Sequence, residues 1–271
     1  MSIHPTAIVD SHAEIDPAAE IGPYCVIDAN VRVDAGTRLY HNVYLTGWTH
    51  VGPQCTLHPG VIVGHEPQDV KYRNERTFCR IGKGTILREY VTVHRGTMPE
   101  SETVVGESCF LLCGAHVAHN CIVGNSVTMV NGAKLAGHVE VGNRAMISGD
   151  VVIHQFCRIG ELVMLQGNAG ISMDIPPFML AALDGRVAGL NRVGLRRAGL
   201  SREEIADIRD AYRTLYRGGL PFRQAVEALA TQVRTDPGRR LLSFLQANSR
   251  RGIAGRRRAG RPSASPDVDA D

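Results

Sequence analysis

The chain has 271 residues, of which 44% are hydrophobic and 21% are charged, and its formal net charge is +3. This length suits one sizeable domain and a smaller second one, and the low aromatic content of 5% argues against a protein that stacks nucleic-acid bases, so we expect no nucleic-acid partner. There is no signal-peptide pattern, no run of about 18 apolar residues and no Cys-x-x-Cys pair, which predicts a reduced, cytoplasmic protein without a membrane segment.

An aliphatic residue recurs at every sixth position over most of the first two-thirds of the chain. A small or β-branched residue follows four positions later, as at Ala7, Ala115 and Ala133. This period fits neither a 3.6-residue helix nor a sustained two-residue strand alternation. It predicts a parallel β-helix whose hexads each supply one flat face and a corner, and each buried aliphatic residue stabilises that fold by about 1.5–3 kcal/mol. The aliphatic positions are Ile3, Val9, Ile15, Ile21, Ile27, Val33, Leu39, Leu45, Val51, Leu57, Val63, Ile81, Leu87, Val93, Val105, Leu111, Val117, Val123, Met129, Leu135, Val141, Ile147, Ile153, Ile159, Leu165 and Ile171.

A second, longer period predicts that three hexads make one coil. Aliphatic-glycine pairs recur at every third hexad, mark the same corner of successive coils and stand at positions 105–106, 123–124, 141–142 and 159–160. Six of the seven cysteines fall at the small inward position, where a thiol is expected to be buried and unreactive. These six are Cys25, Cys55, Cys79, Cys109, Cys121 and Cys157. Only Cys113 lies outside this phase.

Two polar stretches, at residues 65–78 and 95–103, interrupt the hexads without changing their phase, and we expect them to leave the prism as surface loops. The hexads end after Ile171, so a β-helix domain is predicted at residues 1–173 and a small α-helical domain at 174–250. Ser201 and Glu204 form a capping box for a helix to about Arg217. Two further helices are predicted at 221–233 and 237–248. Residues 251–271, basic and then acidic, are predicted to be a disordered tail.

If one coil is three hexads long, residues three hexads apart in sequence lie above one another, about 4.8 Å apart. This rule stacks several site candidates on one side of three successive coils. The stacked set is His116, His119, Asn120, Gly137, His138, His154 and Gln155. Isolated histidines such as His4 and His12 are expected at exposed corners with no special role. Within the set, His119 lies beneath Gly137 and Asn120 lies beneath His138. A histidine can act as general base, and an unobstructed Gly137 N–H can stabilise developing negative charge.

Seven segments resemble, in order and spacing, the family of UDP-N-acetylglucosamine O-acyltransferases that begin lipid A synthesis. They are "PQDVKY", "VTVHRGT", "AHVAHN", "LAGHVEVG", "VIHQFCRIG", "DIPPF" and "GLNRVGLRRAGLSREEI". The resemblance implies a left-handed prism that transfers a 3-hydroxyacyl chain from acyl carrier protein to the 3-hydroxyl of UDP-N-acetylglucosamine. It further implies a homotrimer with each site between two prisms, and neither a cofactor nor a metal.

The same resemblance assigns roles to individual residues of this chain. His119 matches the general base, and Gly137 matches the residue whose N–H faces the oxyanion. Asn120 stands where better-known members carry an aspartate, and we expect it to orient His119 without stabilising imidazolium by charge. Residues that match substrate-binding positions are Asp69, Lys71, His116, His138, His154, Gln155, Gly167, Asn191 and Arg197.

Other departures from the family pattern concern the nucleotide and the acyl chain. Val193 stands where some members carry a glutamate, and Ala198 replaces an arginine, so the nucleotide contacts match less well than the catalytic ones. Gly167 matches a position that limits acyl length, and a glycine there favours a longer chain. The sequence leaves open the preferred length and the choice between N-acetylglucosamine and its 3-amino analogue.

Four alternative functions compete with this one. The related N-acyltransferase of lipid A assembly has an additional N-terminal domain, whereas these hexads begin at Ile3, and an acetyl-CoA-dependent sugar acetyltransferase lacks the nucleotide-side motif. A zinc hydratase of the γ-carbonic anhydrase kind would need His116, His119 and His138 to converge on one metal ion. A non-catalytic sugar-nucleotide binder, with a site disabled at Asn120, would bind its ligand without turnover.

Overall fold

The computed structural model describes residues 2–256, which contain 28 short strands and four helices. In chain order the strands are β1 Ser2–Ile3, β2 Ile8–Val9, β3 Glu14–Ile15, β4 Glu20–Ile21, β5 Val26–Ile27, β6 Arg32–Val33, β7 Arg38–Leu39, β8 Tyr44–Leu45, β9 Trp48–Val51, β10 Thr56–Leu57, β11 Ile62–His65, β12 Phe78–Ile81, β13 Ile86–Leu87, β14 Thr92–His94, β15 Glu102–Val105, β16 Phe110–Leu111, β17 His116–Val117, β18 Ile122–Val123, β19 Thr128–Met129, β20 Lys134–Leu135, β21 Glu140–Val141, β22 Met146–Ile147, β23 Val152–Ile153, β24 Arg158–Ile159, β25 Met164–Leu165, β26 Gly170–Ile171, β27 Met179–Ala181 and β28 Val187–Leu190. The helices are α1 Arg192–Arg197, α2 Arg202–Arg217, α3 Phe222–Gln232 and α4 Asp236–Gln246.

The strands form the three faces of a prism. Up to β26, parallel pairing joins strands that are three places apart in chain order. With β27 and β28 added to one of them, the three sheets contain eleven, nine and eight strands. Where no loop intervenes, partners are three hexads apart in sequence, as Ser2 opposes Glu20 and Thr128 opposes Met146. The predicted all-β architecture, a left-handed parallel β-helix followed by a small helical domain, is confirmed.

The core is the stack of inward aliphatic residues that the six-residue period predicted. Leu87, Leu111 and Met129 are each fully buried at successive levels of one face. The six cysteines of the inward position are buried and free, and Cys113 is exposed, so the prediction for the cysteines is confirmed. Burial raises the pKa of Cys121 to about 12, which leaves its thiol protonated and unreactive although it lies close to His119 in sequence.

The two interruptions leave the prism as loops while the coil continues past them. The partner of Phe78 is Trp48 on the preceding coil and Glu102 on the following one, five and four hexads away in sequence instead of three. Both intervals are whole numbers of hexads, which is why the phase is kept. The buried Arg95 joins the loops, since its guanidinium donates to the Gly64 carbonyl at 2.8 Å and to the Tyr72 hydroxyl at 3.0 Å.

The end of the prism differs from the sequence-based expectation. After the last hexad, β27 pairs in parallel with β25 and β28 folds back antiparallel on β27, so one sheet continues to residue 190. Neither this hairpin nor α1 carries a hexad. The Ser201 capping box at the start of α2 is confirmed, and α3 and α4 lie where two helices were predicted. The boundary of the helical domain at residue 174 stays a prediction.

The predicted disordered tail is wrong at its first residues. Ile253 bridges Asp174, and Arg256 bridges Val187, which supplies backbone partners at the end of the prism that the sequence did not reveal. The rest of the predicted tail, residues 257–271, lies outside the described residues. Within residues 2–256, no helix has the length and apolarity needed to cross a membrane.

Candidate active site

One corner of three successive coils is built from residues in the left-handed backbone region. Asn120, His138 and Phe156 have φ of 59°, 60° and 66°, and each follows a residue of the predicted site. The His138 N–H donates to the His119 carbonyl at 3.0 Å, and the Phe156 N–H donates to the Gly137 carbonyl at 3.1 Å. The predicted stacking of His119 beneath Gly137, and of Asn120 beneath His138, is therefore confirmed.

The ring of His119 is oriented by a short hydrogen-bond chain. Its Nδ1 lies 3.0 Å from Oδ1 of Asn120, and that oxygen also accepts from the Thr97 N–H at 3.2 Å and the Thr97 hydroxyl at 2.8 Å. A backbone N–H can only donate, so the amide atom facing Thr97 and His119 is the oxygen and not the nitrogen. In the neutral ring Nδ1 must then carry the proton, and Nε2 presents its lone pair.

Gly137 lies directly against the His119 ring. A Cβ at this position would stand 2.4 Å from Cε1 and 2.6 Å from Nε2 of His119, closer than any real side chain approaches. Only glycine therefore leaves room for the ring. The Gly137 N–H donates to no protein acceptor within the described residues, so it is free to bind an oxygen that gains negative charge beside Nε2.

Two further rings and a cation continue the stack above His119. The His138 ring meets it edge-on at 5.3 Å between centroids, and Phe156 stacks on His138 at 4.8 Å. The guanidinium of Arg250 lies 4.8 Å over the Phe156 ring. Burial lowers the pKa of His138, and the nearby charges of His119 and Arg250 act in the same direction, while the carboxylate of Asp69 opposes them. His138 is thus neutral near pH 7, where it can donate or accept a hydrogen bond.

A second group of histidines extends from His116 toward the earlier coils. His116 Nδ1 lies 2.7 Å from the Thr92 hydroxyl, and its ring contacts His94 edge-on at 4.9 Å. Burial lowers the pKa of His116, followed by the charge of Lys134, its partner on the next coil. Burial likewise lowers the pKa of His94 to about 4, and His94 Nδ1 is buried without a partner among the described residues. These rings form a neutral, polar wall beside the His119 corner.

The buried His94 predicts a pH-dependent stability. The folded chain holds His94 neutral down to about pH 4, whereas an exposed histidine in the unfolded chain takes a proton near its ordinary value of 6.5. The contribution to the free energy of unfolding is therefore complete above pH 6.5 and is lost as the pH falls toward 4, by at most roughly 3 kcal/mol. Chemical unfolding at pH 7 and pH 4.5 measures this loss of stability. His94→Gln is expected to lose less stability on acidification than the wild type. The exposed-corner variant His12→Gln is the control and is expected to lose as much as the wild type. Equal losses in all three would contradict this role of His94.

The loop residues Asp69 and Lys71 differ in how they relate to the site. Asp69 is half-buried, its charge acts on His138, and its Oδ1 accepts the Lys71 N–H at 2.9 Å. The Lys71 side chain is exposed. His154 and Gln155 are exposed at the same corner, one coil above Gly137, with His154 Nδ1 at 3.2 Å from the Gln155 carbonyl. Asp69 therefore acts on the corner from the loop side, and His154 and Gln155 border it from above.

The remaining predicted residues lie on other parts of the prism. Gly167 is half-buried, and a Cβ there would make only an ordinary contact, at 3.4 Å, with the Gly149 carbonyl. Asn191 is the N-cap of α1, where its Oδ1 accepts the Gly194 N–H at 2.9 Å and its Nδ2 donates to the Leu162 carbonyl at 2.8 Å. Arg197 is exposed in the last turn of α1. No contact of the described residues joins Asn191 or Arg197 to His119 in the same chain.

Sequence reasoning missed several residues that shape the site, namely Thr92, His94, Thr97, Phe156 and Arg250. Thr97 stands in the second loop, whose residues have no hexad position. Thr92 is the strand partner of His116 although the two are four hexads apart in sequence. The rule of three hexads per coil therefore does not pair them. Phe156 stands three hexads after His138, so its position followed from the coil length. No three His, Cys, Asp or Glu side chains converge as metal ligands anywhere from residue 2 to residue 256.

A three-sided prism of six-residue repeats, with a histidine and a glycine stacked at one corner, places this chain among the hexapeptide-repeat proteins. A family model described as "Udp N-acetylglucosamine O-acyltransferase; Domain 2" matches residues 174–254. The acyl-[acyl-carrier-protein]–UDP-N-acetylglucosamine O-acyltransferase of Thermodesulfovibrio yellowstonii is 44% identical, over 92% of this chain and 97% of its own length. The enzyme of the same name from Aquifex aeolicus is 53% identical, over 72% of this chain and 76% of its own.

A solved structure gives the same answer. The crystal structure of Francisella novicida UDP-N-acetylglucosamine acyltransferase superposes with a TM-score of 0.90 at 32% identity, covering 93% of this chain and 94% of that one. The chain belongs to the UDP-N-acetylglucosamine O-acyltransferase family.

Proposed function

We propose that this chain transfers a 3-hydroxyacyl group from acyl carrier protein to the 3-hydroxyl of UDP-N-acetylglucosamine, the first step of lipid A synthesis. Relatives named for this donor and acceptor align over nearly the whole chain. The observation that carries the proposal is the arrangement of Thr97, Asn120 and His119, which leaves Nε2 unprotonated beside the free N–H of Gly137. A general base and an oxyanion donor side by side are what acyl transfer to a hydroxyl requires.

The reaction follows from these two groups. Nε2 of His119 takes the proton of the sugar 3-hydroxyl as its oxygen attacks the thioester carbonyl carbon. The carbonyl oxygen becomes negative and accepts the Gly137 N–H. When the tetrahedral intermediate collapses, the carbon–sulfur bond breaks, and the leaving thiolate takes the proton back from Nε2. Asn120 stays hydrogen-bonded to Nδ1 throughout and holds the ring in register.

The residues around His119 would bind the two substrates. The neutral histidine rings can form hydrogen bonds with sugar hydroxyls and acyl oxygens. The exposed polar residues can form hydrogen bonds with the sugar and its substituents. We assign substrate binding to Asp69, Lys71, His116, His138, His154, Gln155, Gly167, Asn191 and Arg197. Because Gly167 carries no side chain, the proposal includes a preference for longer hydroxyacyl chains.

The proposal also includes a homotrimer with each site between two prisms. The outward residues of one sheet form a ladder on successive coils, in which only Thr128 interrupts the apolar side chains of Ile86, Phe110, Met146 and Met164. A second copy would cover this ladder, and Asn191 and Arg197 of a neighbour would complete a corner that they do not reach in their own chain. Light scattering that gives one chain per particle would contradict it. The free thiols agree with a cytoplasmic location.

The turnover of UDP-N-acetylglucosamine with a panel of 3-hydroxyacyl carrier-protein thioesters tests the proposed function. We expect an acylated sugar nucleotide and a free carrier thiol in equal amounts, with the best rate for one of the longer chains. The 3-amino sugar nucleotide belongs in the same panel as an alternative acceptor. Binding of sugar nucleotide without turnover of any donor–acceptor pair would instead indicate a non-catalytic binder.

Asn120 allows a specific prediction about the tautomer of His119. Asn120→Leu removes the acceptor for Nδ1–H, so the ring loses its orientation, and kcat is expected to fall by about 10–100-fold. Asn120→Asp keeps the acceptor and adds a charge that favours imidazolium, so the acidic limb of kcat/KM is expected to move to higher pH. Steady-state kinetics from pH 5 to pH 9 measure both effects. An Asn120→Leu enzyme with the wild-type kcat, together with an unchanged pH profile in Asn120→Asp, would exclude the orienting role.

A further inference from the structure

The end of the described chain brings a cation to the histidine corner. Arg250 follows α4, and its guanidinium lies 4.8 Å over the ring of Phe156, which itself stacks on His138. The charge of Arg250 lowers the pKa of His138, though less than burial and His119 do. The Phe156 ring therefore separates Arg250 from His138, and the rings of Phe156 and His138 together separate it from His119.

The backbone around Arg250 is fixed to the prism. The Asp174 N–H donates to the Gly252 carbonyl at 2.8 Å, and the Ala254 N–H donates to the Asp174 carbonyl at 2.9 Å. The next side chain, Arg251, donates from Nε to the Ser172 carbonyl at 3.0 Å. Because Asp174 is fully buried, this anchor is part of the folded domain. The position of Arg250 at the corner is therefore set by the fold.

The guanidinium of Arg250 has no polar partner inside the described part of the chain. Among residues 2–256, its guanidinium makes no ion pair and donates no hydrogen bond, and its side chain is exposed. By contrast, Arg158 pairs with Asp174 at 2.7 Å, and Arg95 bonds Gly64 and Tyr72. An arginine whose guanidinium lies over an aromatic ring keeps N–H groups that can bind two oxygens of a phosphate.

We propose that Arg250 is a phosphate-binding residue of the active site. The inference rests on the proposed function, because both substrates of that reaction carry phosphate. One is the diphosphate of the sugar nucleotide, and the other is the phosphodiester of the phosphopantetheine arm that bears the thioester. Stacking on Phe156 holds the guanidinium in place before binding, so less side-chain entropy is lost when the phosphate arrives.

Calorimetric titration of Arg250→Gln tests the proposal without requiring turnover. The ligands are UDP-N-acetylglucosamine, uridine and free phosphopantetheine, and the matched control is Arg223→Gln, which removes an exposed arginine from α3. We expect the Kd of one phosphate-bearing ligand to rise at least tenfold in Arg250→Gln, while uridine binding and the Arg223→Gln enzyme stay within twofold of wild type. A change confined to UDP-N-acetylglucosamine assigns the sugar diphosphate, and one confined to phosphopantetheine assigns the carrier arm.

Kinetics and a second variant separate binding from a purely structural role. Arg250→Gln is expected to raise the KM of the assigned substrate about tenfold with kcat within twofold, and Arg250→Lys is expected to recover part of the loss. Unchanged Kd values for both phosphate ligands would overturn the inference, as would a wild-type protein that binds neither. A loss of thermal stability with no selective change in Kd would overturn it too. If wild type binds UDP-N-acetylglucosamine through Arg250 but transfers no acyl group, the proposed function fails and the phosphate site stands.

Discussion

Replacing His119 by alanine is expected to lower kcat by about 10²–10⁴-fold, the usual contribution of a general base. The Nε2 lone pair is the proton acceptor that the Thr97 and Asn120 hydrogen bonds leave available. No neighbouring ring replaces it, because His138 meets His119 edge-on from the next coil and is not held by Asn120. The KM for UDP-N-acetylglucosamine is expected to change little, since the base acts mainly in the transition state.

The control for this variant is His12→Ala. His12 stands at an exposed corner of the first coil, where its Nδ1 lies 2.9 Å from Asp10, and it has no contact with the candidate site. Initial rates of thioester consumption are compared at a saturating concentration of both substrates. A His119→Ala enzyme with more than one-tenth of the wild-type kcat, or an equal loss in His12→Ala, would show that His119 is not the base.

Gly137→Ala is expected to lower kcat by about 10²-fold or more through a single added methyl group. The new Cβ would stand 2.4 Å from Cε1 of His119, so the ring must move, and a displacement of about 1 Å is enough to cost this much. The substitution leaves the Gly137 N–H in the backbone. The loss therefore reports on the close approach of the two residues and on the space beside Nε2, where the oxyanion would form.

Gly189→Ala is the matched control for this substitution. Gly189 lies on β28, and a Cβ added there would meet no atom within 4 Å. Thermal unfolding of both variants checks that the prism is intact, and steady-state kinetics then give kcat. If Gly137→Ala keeps wild-type kcat, the ring of His119 does not occupy the position that gives it its proposed role.

The repeating part of the fold follows from residue spacing. In each hexad a side chain points either into the prism or toward solvent. Because burial of apolar surface stabilises the fold, the inward positions are apolar or small in every repeat. The burial of Leu57 and Cys121 and the stacking of His119 beneath Gly137 therefore followed from residue spacing alone. The start of α2 at Ser201 was equally local, because a capping box uses residues three positions apart.

The way in which the irregular segments complete the corner could not be read from residue spacing. Thr97 reaches Asn120 from a loop with no hexad position, and Arg250 reaches Phe156 from beyond the last helix. The hairpin β27–β28 extends a prism sheet by antiparallel pairing, which leaves no six-residue period. Contacts of this kind depend on where a loop or a chain end returns to the surface. The position of such a loop or chain end is set by hydrogen bonds between residues far apart in sequence. No local pattern of residue types therefore predicts it.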